Sequence, residues 1–560
     1  INNGDLSAII GTLFCSSTPL MQVSELIVKY LEQLEIRQIF GIPGAHILPV
    51  YDSLYDSSIH SILVKHEQGA AFMAGGIART TGKVSACIAT AGPGATNLVT
   101  GIANAYADQL PLLVITGETP THIFGKGGLQ ESSGEGGSID QSQLFQGITR
   151  YHKIIERTDY LQNVLIQATQ ILLSPRSGPV VLSLPYNIQK EEVDASILDT
   201  IPFRRSYTVN SPSHTLINQV SSLLQSAQHP VFIAGYGCIR SGAEAQLQAL
   251  SQQLDIPVTS TLKGKGVIDE NSPQWLGTLG VTSDGNALQQ ITQEADLLFI
   301  LGASFNERTS YLWKSQLFDN KVIIQVDYDH TQLEKVFSAD LSIETDIAPF
   351  LEQLLEQLPS TGTITEYHSN HDNPVLRATP TLIQQFFAEL EAQIEGELSL
   401  FDDNIIYGQT LFKASNKHHY YPNSGISSLG YALPAAIGAS LKLQHPTFAI
   451  LGDGGFQMCG MELMTAVNYN IPINVILLNN GSMGLIRKNQ FQQYQGRYID
   501  CDFVNPDFAL LAQSFGVNHQ RIDDQDDLQQ LFSRCDLRKG INLIEIPIDK
   551  NAFPDYQSGR

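Results

Sequence analysis

Short apolar segments rich in β-branched residues alternate along this chain with longer amphipathic segments. The clearest apolar segments are 111–116, 231–235, 297–302, 322–327, 448–452 and 474–478. Strands that are covered on both faces are apolar throughout, whereas the helices that cover them are amphipathic. We therefore predict an α/β fold built from doubly wound parallel sheets with helices on both faces.

Two polar segments interrupt this alternation. Residues 187–215 and 357–380 are rich in turn-forming residues, which is typical of linkers. The chain has 560 residues, more than one hydrophobic core usually accommodates. We therefore expect three α/β domains of similar size, at 1–190, 205–345 and 375–560.

The chain is strongly acidic. It has 33 Lys and Arg residues against 56 Asp and Glu residues, a formal net charge of −23. Nothing in this balance would offset repulsion from phosphate groups. We therefore expect small-molecule substrates, and neither nucleic acid nor an anionic membrane as a partner.

The six cysteines are sparse and form no C-x-x-C pair. This usage is typical of a reduced, intracellular protein, so we expect free thiols and a cytoplasmic location. No apolar run reaches the roughly 18 residues that a membrane helix needs. The N-terminal apolar stretch has no basic region before it, so the sequence predicts no secretory signal.

A glycine-rich loop with one aspartate follows the apolar segment 448–452. It consists of Gly452, Asp453, Gly454 and Gly455, and a helix-like segment comes next. Glycines let a backbone approach a phosphate closely, and a helix N-terminus supplies N–H donors. A carboxylate would repel a bare phosphate, so the loop makes chemical sense if Mg²⁺ lies between them. Taken alone, the loop also fits an ordinary turn between a strand and a helix.

The next apolar segment ends in a second polar loop. Asn480 lies 480 − 453 = 27 residues after Asp453, the length of one helix and one strand. Parallel strands end at one edge of a sheet, so we expect Asn480 beside Asp453, with its amide oxygen available to the cation. The turn through Ser482, Met483 and Gly484 is expected to aim a backbone carbonyl, that of Ser482, at the same ion.

These two loops together resemble the signature of enzymes that use thiamine diphosphate (ThDP). Among those enzymes the chain is most similar to the acetohydroxyacid (acetolactate) synthase group. The resemblance covers nearly the whole chain and includes residues 40–54, 66–80, 90–120, 428–439 and 451–458. It implies a pyrimidine-binding N-terminal domain, a nucleotide-binding-like central domain and a diphosphate-binding C-terminal domain.

The resemblance assigns the activation of ThDP to Glu67. The family uses one glutamate beside the pyrimidine ring so that the ring can remove the weakly acidic thiazolium proton. Glu67 stands in the match to the family's H-E-x-x-A segment, directly after the apolar segment that ends at His66. A surface glutamate that begins a helix is the alternative interpretation, and we expect Glu67 to lie largely out of water.

Further cofactor contacts carry over from the same resemblance. Pro43 and Asn97 correspond to the loops that pack on the pyrimidine, and Leu429 to the large apolar residue that bends the cofactor. Gly408, Gln409 and Thr410 match the diphosphate-contacting segment, although the synthases usually have histidine at the position of Thr410. The family also shares each active site between two subunits, which implies at least a homodimer and commonly a homotetramer.

The substrate pocket departs from the synthases. His46 stands where they carry a small residue, and the string G-A-H-I around it resembles benzaldehyde lyase, which relays protons through this histidine. Gln130 matches a pocket glutamine found in both relatives, so His46 and Gln130 are candidate catalytic residues. Asn489 stands at the position of a synthase tryptophan that shapes acceptor choice. Arg487 and Lys488 either meet a substrate carboxylate or are solvated charges.

Two further regions differ from the synthases. The glycine-rich insertion 132–143 suggests a mobile loop near the active site. In the central domain, the synthases bind FAD without using it for redox chemistry. Gly235, residues 263–266 and residues 306–308 stand at the corresponding positions, but the Lys-Gly-Lys-Gly string at 263–266 differs, so FAD is a possible second cofactor and an empty structural domain is the alternative.

These observations lead to one principal hypothesis and two alternatives. We expect a ThDP- and Mg²⁺-dependent carboligase that decarboxylates a 2-keto acid such as pyruvate and adds the resulting carbanion to a second carbonyl, as acetolactate synthase does. The second possibility is an acyloin lyase or synthase, or a simple 2-keto-acid decarboxylase. The third is a catalytically silent protein with the ThDP fold, against which the intact Glu67, Asp453 and Asn480 argue.

Overall fold

A computed structural model describes residues 19–204, 212–359 and 381–552. Residues 205–211 of the first predicted linker and 360–380 of the second lie outside the described residues. Within the described ranges, three six-stranded sheets are parallel throughout. The predicted α/β class with three parallel-sheet domains is therefore confirmed.

The N-terminal domain carries the first sheet. Its strands are β1 (Leu20–Gln22), β2 (Gln38–Gly41), β3 (His60–Leu63), β4 (Ser85–Ala89), β5 (Leu112–Glu118), β6 (Tyr151–Ile154), β7 (Val180–Pro185) and β8 (Glu192–Asp194). Its helices are α1 (Val23–Gln33), α2 (Leu48–Tyr55), α3 (Glu67–Thr81), α4 (Pro93–Asn97), α5 (Val99–Ala107), α6 (Gln141–Gln146), α7 (Leu161–Leu172) and α8 (Tyr186–Gln189). The sheet order is β3-β2-β4-β5-β7-β6.

Strands β1 and β8 form a separate antiparallel pair. β8 and part of α8 lie inside the polar segment 187–215 that the sequence suggested as a linker. The start of that segment is therefore part of the N-terminal domain. Its polar composition reflects a short two-stranded pair, where alternate side chains face solvent.

The central domain carries the second sheet. Its strands are β9 (Pro230–Ala234), β10 (Val258–Thr261), β11 (Trp275–Leu279), β12 (Leu297–Leu301), β13 (Val322–Asp327) and β14 (Leu341–Glu344). Its helices are α9 (His214–Ser226), α10 (Tyr236–Ser241), α11 (Glu244–Leu254), α12 (Asn286–Gln293) and α13 (Ile347–Gln357). The order β11-β10-β9-β12-β13-β14 is the doubly wound arrangement found in many nucleotide-binding domains.

The C-terminal domain carries the third sheet. Its strands are β15 (Leu398–Asp402), β16 (His418–Pro422), β17 (Thr447–Gly452), β18 (Ile473–Asn479), β19 (Asn518–Arg521) and β20 (Ile541–Pro547). Its helices are α14 (Leu382–Gln393), α15 (Ile406–Leu411), α16 (Ala432–Ser440), α17 (Asp453–Cys459), α18 (Leu463–Tyr469), α19 (Gly484–Gln493), α20 (Phe508–Phe515) and α21 (Gln525–Arg534). The order β16-β15-β17-β18-β20-β19 repeats that of the N-terminal sheet strand for strand.

Each sheet separates two apolar cores, as continuous apolar strands require. In β5, Leu112 and Val114 belong to one core, while Leu113 and Ile115 belong to the other. All six of the apolar segments singled out in the sequence form strands, namely β5, β9, β12, β13, β17 and β18. Their continuous burial explains why their signal in the sequence is strong.

The N- and C-terminal domains share one of these cores through helices α3 and α16. Small residues make the close contact possible. A side chain at Gly76 would collide with the backbone oxygen of Ala435, and one at Gly438 would collide with that of Met73. The glycines and alanines of both helices therefore serve interdomain packing, and Glu67 begins one of these two helices.

Candidate active site

Glu67 is buried at the start of α3. Its side chain is only 7% exposed, and its carboxylate accepts a 2.9 Å hydrogen bond from the side-chain amide of Asn97. A side chain at Gly94 would come within 3.5 Å of the same carboxylate, so the turn after β4 packs directly on it. The structure thus brings together Glu67 and Asn97, which the sequence suggested separately.

A second buried carboxylate, Glu462, holds the backbone just before Glu67. It comes from the C-terminal domain and accepts hydrogen bonds from the backbone N–H groups of Lys65 and His66, each at 3.1 Å. Thr465 donates its hydroxyl to the same carboxylate at 2.6 Å. Burial raises the pKa of Glu462, and these donors act in the opposite direction. The sequence carried no signal for this residue, because the contact joins positions almost 400 residues apart.

Asp453 lies at the carboxyl end of β17, where α17 begins. Its carboxylate accepts hydrogen bonds from the backbone N–H groups of Asn480 at 3.0 Å and Gly481 at 2.6 Å. Strands β17 and β18 are neighbours in the sheet, with Gly452 paired to Leu478. The predicted adjacency of the two polar loops is therefore correct.

Asn505 joins this cluster without having been predicted. Its side-chain amide donates to Asp453 at 2.7 Å and to the side-chain oxygen of Asn479 at 2.8 Å. Burial raises the pKa of Asp453, and the donated hydrogen bonds, first that of Asn505, act in the opposite direction. Asn505 lies in the loop after α19, far from either motif, so only the folded chain reveals it.

The donor set around Asp453 fits a hard cation and a diphosphate. Asn480 and Ser482 lie on the loop after β18, where the backbone N–H of Ser482 donates to the Asn480 side-chain oxygen at 3.0 Å. The hydroxyl of Ser482 and the side-chain oxygen of Gln409 are buried without a hydrogen-bond partner among the described residues. In those same residues, no group of three or more His, Cys, Asp or Glu side chains forms a metal site. Oxygen ligands around one carboxylate favour Mg²⁺ over a transition metal.

The glycines of the predicted loop are needed for space. A side chain at Gly454 would come within 2.6 Å of the sulfur of Met483, and one at Gly455 within 2.6 Å of the carboxylate of Asp403. Met483 precedes Gly484, the first residue of α19. The loops that carry Asp453 and Asn480 therefore pack tightly against each other.

Gln409 lies on α15 and is anchored by a buried aspartate. Its side-chain amide donates to Asp402 at 3.2 Å, and the hydroxyl of Tyr420 donates to Asp402 at 2.7 Å. Gly408 packs against Ile450 of the neighbouring strand. Thr410 is exposed and its hydroxyl donates back to the oxygen of Ile406. Of the three predicted positions, Gln409 is thus the one with a buried, unpaired oxygen.

Asp403 organises the turn that carries Leu429. Its carboxylate accepts the backbone N–H groups of Gly430 at 2.8 Å and Tyr431 at 3.0 Å. Gly430 has φ +80°, a left-handed conformation that glycine adopts without strain. Leu429 is half-buried immediately before it. Burial raises the pKa of Asp403 to about 6 and that of Asp402 to about 7.

The structure brings His46 and Gln130 together. His46 Nδ1 lies 3.3 Å from the side-chain oxygen of Gln130, which also accepts the hydroxyl of Thr90 at 3.3 Å. His46 is buried, and its backbone oxygen accepts the amide of Gln189. Pro43, three residues earlier in the same loop, is exposed. Thr90 is a further member of this pocket that the sequence did not single out.

For Arg487 and Lys488, burial excludes the alternative of solvated charges. Arg487 forms an ion pair with Asp502 at 3.0 Å and lies over the ring of Tyr498. The insertion 132–143 is held by many hydrogen bonds: its first residue, Ser132, is fully buried, and Gln141 begins helix α6.

The lysines of the Lys-Gly-Lys-Gly string form interdomain contacts. Lys263 pairs with Asp108 of the N-terminal domain at 2.5 Å. Lys265 forms a buried ion pair with Glu270, whose carboxylate also accepts the backbone N–H of Ala414 in the C-terminal domain. Lys263 therefore joins the central domain to the N-terminal domain, while Lys265 pairs with the glutamate that contacts the C-terminal domain.

Comparison with protein-family models gives three successive matches. They are the thiamine pyrophosphate enzyme N-terminal TPP binding domain at residues 21–143, the central domain at 217–354 and the C-terminal TPP binding domain at 404–546. Thiamine pyrophosphate, or TPP, is another name for ThDP. Each match lies within a different one of the three parallel-sheet domains.

Curated relatives match along almost the entire chain. A probable acetolactate synthase large subunit of Methanocaldococcus jannaschii is 32% identical over 96% of this chain and 94% of its own length. The acetolactate synthase isozyme 2 large subunit of Escherichia coli is 31% identical over 95% of this chain and 97% of its own length. An acetolactate synthase large subunit of Corynebacterium glutamicum is 32% identical over 96% of this chain and 88% of its own length.

The helices of the described residues are mostly short. None of them combines the length and the apolar character that crossing a bilayer requires.

Proposed function

The chain belongs to the ThDP enzymes, in the group of the acetolactate synthase large subunits, and from this premise we propose its reaction. It decarboxylates a 2-keto acid, pyruvate or a similar compound, and joins the remaining carbanion to a second carbonyl compound. The observation that carries the proposal is the joint presence of the Glu67–Asn97 pair and the Asp453–Asn480 loops. A catalytically silent relative would not need to retain both.

Asp453, Asn480 and Ser482 would hold Mg²⁺, and the ion would hold the diphosphate. The backbone N–H groups in the first turn of α17 would contact the diphosphate, and the resemblance implies the same for Gln409. When bound, ThDP would supply an electron sink that stabilises the negative charge left by loss of CO₂. The C-terminal loops thus contribute binding and orientation, not proton transfer.

Glu67 would exchange a proton with the pyrimidine nitrogen. Its burial removes competing water, and the amide of Asn97 fixes one carboxylate oxygen in place. Leu429, Pro43 and Asn97 would position the pyrimidine and thiazolium rings. This division of roles follows the resemblance residue by residue, and it remains a proposal for each of these positions.

His46 and Gln130 would act on the acceptor. A neutral imidazole beside a side-chain amide can bind a carbonyl or hydroxyl oxygen and transfer its proton. The 3.3 Å separation of His46 Nδ1 and the Gln130 oxygen supports a joint role of the two side chains at one substrate oxygen. The same arrangement supports the second candidate function, an acyloin lyase or synthase, because that reaction also moves a hydroxyl proton.

We also propose at least a homodimer. Large apolar side chains close to the two ThDP-related loops are exposed in the single chain, among them Leu63, Met458, Met461, Phe491 and Val504. Their exposure beside both loops supports a second copy of the chain as the cover. In such a dimer, Glu67 of one subunit would serve the diphosphate site of the other.

Three finer assignments belong to the same proposal. Domain limits near 1–190, 205–345 and 375–560 are supported by the sheets, which span 38–185, 230–344 and 398–547. A cytoplasmic location is supported by the five described cysteines, all of them buried free thiols. FAD in the central domain is a secondary proposal, and the visible flavin absorbance of the purified protein tests it.

A product screen tests the proposed reaction. The protein is incubated with ThDP, Mg²⁺ and a panel of 2-keto acids and aldehydes, and the products are identified by mass spectrometry. We expect CO₂ and a new carbon–carbon bond, only when both cofactors are present. Release of the aldehyde alone would show a decarboxylase, cleavage of acyloins would show a lyase, and no ThDP-dependent product from any substrate would refute catalysis.

A further inference from the structure

One fully buried carboxylate of the N-terminal domain has no role in the reaction described above. Glu118 is the last residue of β5, and none of its surface is exposed. The preceding residue, Gly117, lies against His46: a side chain there would come within 2.5 Å of the His46 backbone oxygen. Glu118 is therefore directly behind the candidate acceptor pocket.

Among the described residues, the donors to the Glu118 carboxylate come from the segment that follows it. One carboxylate oxygen accepts the backbone N–H groups of Thr119 at 2.8 Å and Ser132 at 3.0 Å. The other oxygen accepts the hydroxyl of Ser132. Burial raises the pKa of Glu118, while these donors and the nearby His46 act in the opposite direction. The carboxylate thus closes the loop 119–132 back onto the end of the strand.

Ser132 is in turn part of a buried polar network. Its hydroxyl lies 3.1 Å from the side-chain oxygen of Gln141. The amide of Gln141 donates to the hydroxyls of Thr116 at 3.0 Å and Ser183 at 2.5 Å, on strands β5 and β7. Ser132, the loop residue that binds Glu118, is therefore linked through Gln141 to the sheet.

A second carboxylate shapes the loop on the other side of Gln130. Glu131 accepts the backbone N–H groups of Gly125, Gly127 and Gly128 at 2.6 to 3.1 Å. Glu131 also accepts the hydroxyl of Ser133 at 2.7 Å. Glu131 and Ser132 follow Gln130 directly, so both residues after Gln130 are fixed by hydrogen bonds, and those of Ser132 are buried.

Gln130 needs this support because its backbone is strained. Its φ is +55°, in the left-handed region that non-glycine residues rarely adopt. Its Cβ and backbone press against Gly92, where a side chain would come within 3.0 Å. In this conformation the Gln130 side-chain oxygen reaches Thr90 and His46. Release of the loop would let Gln130 relax and leave His46.

We propose that Glu118 is a positioning residue for the acceptor half of the active site: through Ser132, it holds Gln130 in the left-handed conformation that brings its side chain to His46. The expected effect on the reaction rests on the proposed function, whereas the expected effect on the loop does not.

In this role Glu118 acts only as a hydrogen-bond acceptor. A glutamine in place of Glu118 can still accept both backbone N–H groups with its oxygen, while its amide faces the Ser132 hydroxyl.

Hydrogen–deuterium exchange of the cofactor-free protein tests the structural part. In Glu118→Ala, we expect the amides of 125–133 to exchange about tenfold faster or more, since their bonded state opens more often. Glu118→Gln should restore most of the protection. Ser132→Ala keeps the Glu118 carboxylate and should give an intermediate increase in the exchange rate. It replaces Glu118→Ala as the test variant if Glu118→Ala does not fold. Exchange in Glu118→Ala and Ser132→Ala that equals the wild type would overturn the proposal.

The yield of ligated product per CO₂ released tests the effect of Glu118 on the reaction. With ThDP and Mg²⁺, Glu118→Ala should release CO₂ at a rate within about twofold of the wild type, while the yield of ligated product per CO₂ falls about tenfold or more. Glu118→Gln should recover most of that yield, and Glu156→Ala, an exposed glutamate of the same domain, should change nothing. Equal loss of both steps, or equal damage in Glu118→Gln, would overturn positioning. If the wild type released no CO₂ with ThDP, the proposed function would be refuted. The hydrogen-exchange result would still test the role of Glu118 in the loop.

Discussion

The side-chain amide of Asn97 donates a 2.9 Å hydrogen bond to the buried carboxylate of Glu67. The two residues are 30 positions apart and come from different βα units of the N-terminal sheet. Their contact orients one carboxylate oxygen and leaves the other for a ligand. This pair is where the pyrimidine half of the proposed active site begins.

Replacement of Glu67 should stop turnover without preventing cofactor binding. Glu67→Gln keeps the shape and the bond to Asn97 but cannot exchange a proton, so kcat should fall by about 10²–10⁴. The Kd for ThDP should stay within a few-fold, because in the proposed site the diphosphate is held by the C-terminal loops and not by Glu67. Steady-state CO₂ release and a ThDP titration measure the two quantities. Glu25→Gln, an exposed glutamate on α1, is the matched control, and retention of more than about a tenth of kcat would contradict the role.

Asp453 should control the binding of metal and cofactor together. Asp453→Asn removes the charge that would balance Mg²⁺, so we expect ThDP affinity to fall by about two orders of magnitude or more. Asn505→Ala should weaken binding less, since it removes one donor to Asp453. Titration with and without EDTA measures this, and Asp526→Asn, on the exposed face of α21, is the control. ThDP binding that persists unchanged in EDTA would exclude a metal-bridged diphosphate.

His46 should govern what happens after decarboxylation. His46→Ala removes the partner of Gln130 in the acceptor pocket, so the yield of ligated product per CO₂ should fall about tenfold or more. The rate of CO₂ release should change little. Product analysis by mass spectrometry gives both numbers, with His60→Ala at the exposed start of β3 for comparison. If both steps fell equally, His46 would belong to cofactor binding and not to the acceptor.

Glu462 should couple the C-terminal domain to the segment that carries Glu67. Glu462→Ala leaves the backbone N–H groups of Lys65 and His66 without their partner. Unpaired buried donors cost about 1–3 kcal/mol, so thermal unfolding should shift downward by several degrees. Glu356→Ala, on the exposed side of α13, should leave the transition unchanged. An unaltered transition in Glu462→Ala would show that the two domains do not depend on this contact.

Stability should fall as pH rises from about 4 to 7, through the ionisation of Asp402. Burial raises the pKa of Asp402 to about 7 in the folded protein, whereas it is about 4 in an unfolded chain. The folded state therefore binds more protons in this window, and the stabilisation present at low pH is lost as Asp402 ionises. Asp402→Asn does not ionise, so its melting temperature relative to the wild type should rise by a few degrees between pH 5 and pH 8. A constant difference across that range would contradict the raised pKa.

Much of the fold was predictable because its elements depend on local pattern. The strands are buried on both faces, so their sequences are largely apolar, and that of β12 is entirely so. The two polar loops were also predictable, since Gly454 and Asp453 belong to a short contiguous motif. The polar segment that forms β8 was misread as a linker, because two short antiparallel strands have no distinctive periodicity.

The sequence alone determined the parallel-sheet class, the two polar loops at neighbouring strand ends and the family of cofactor. The tertiary structure decided which distant side chains meet these loops: Asn505 at Asp453, Glu462 behind Glu67, and Glu118 at Ser132. It also decided that Arg487 is paired and buried, and that the insertion after Gln130 is held in place. The physical reason is that strand and loop motifs are short-range properties of the chain, whereas the partners of a buried polar group are fixed only when the three sheets and their loops are packed together.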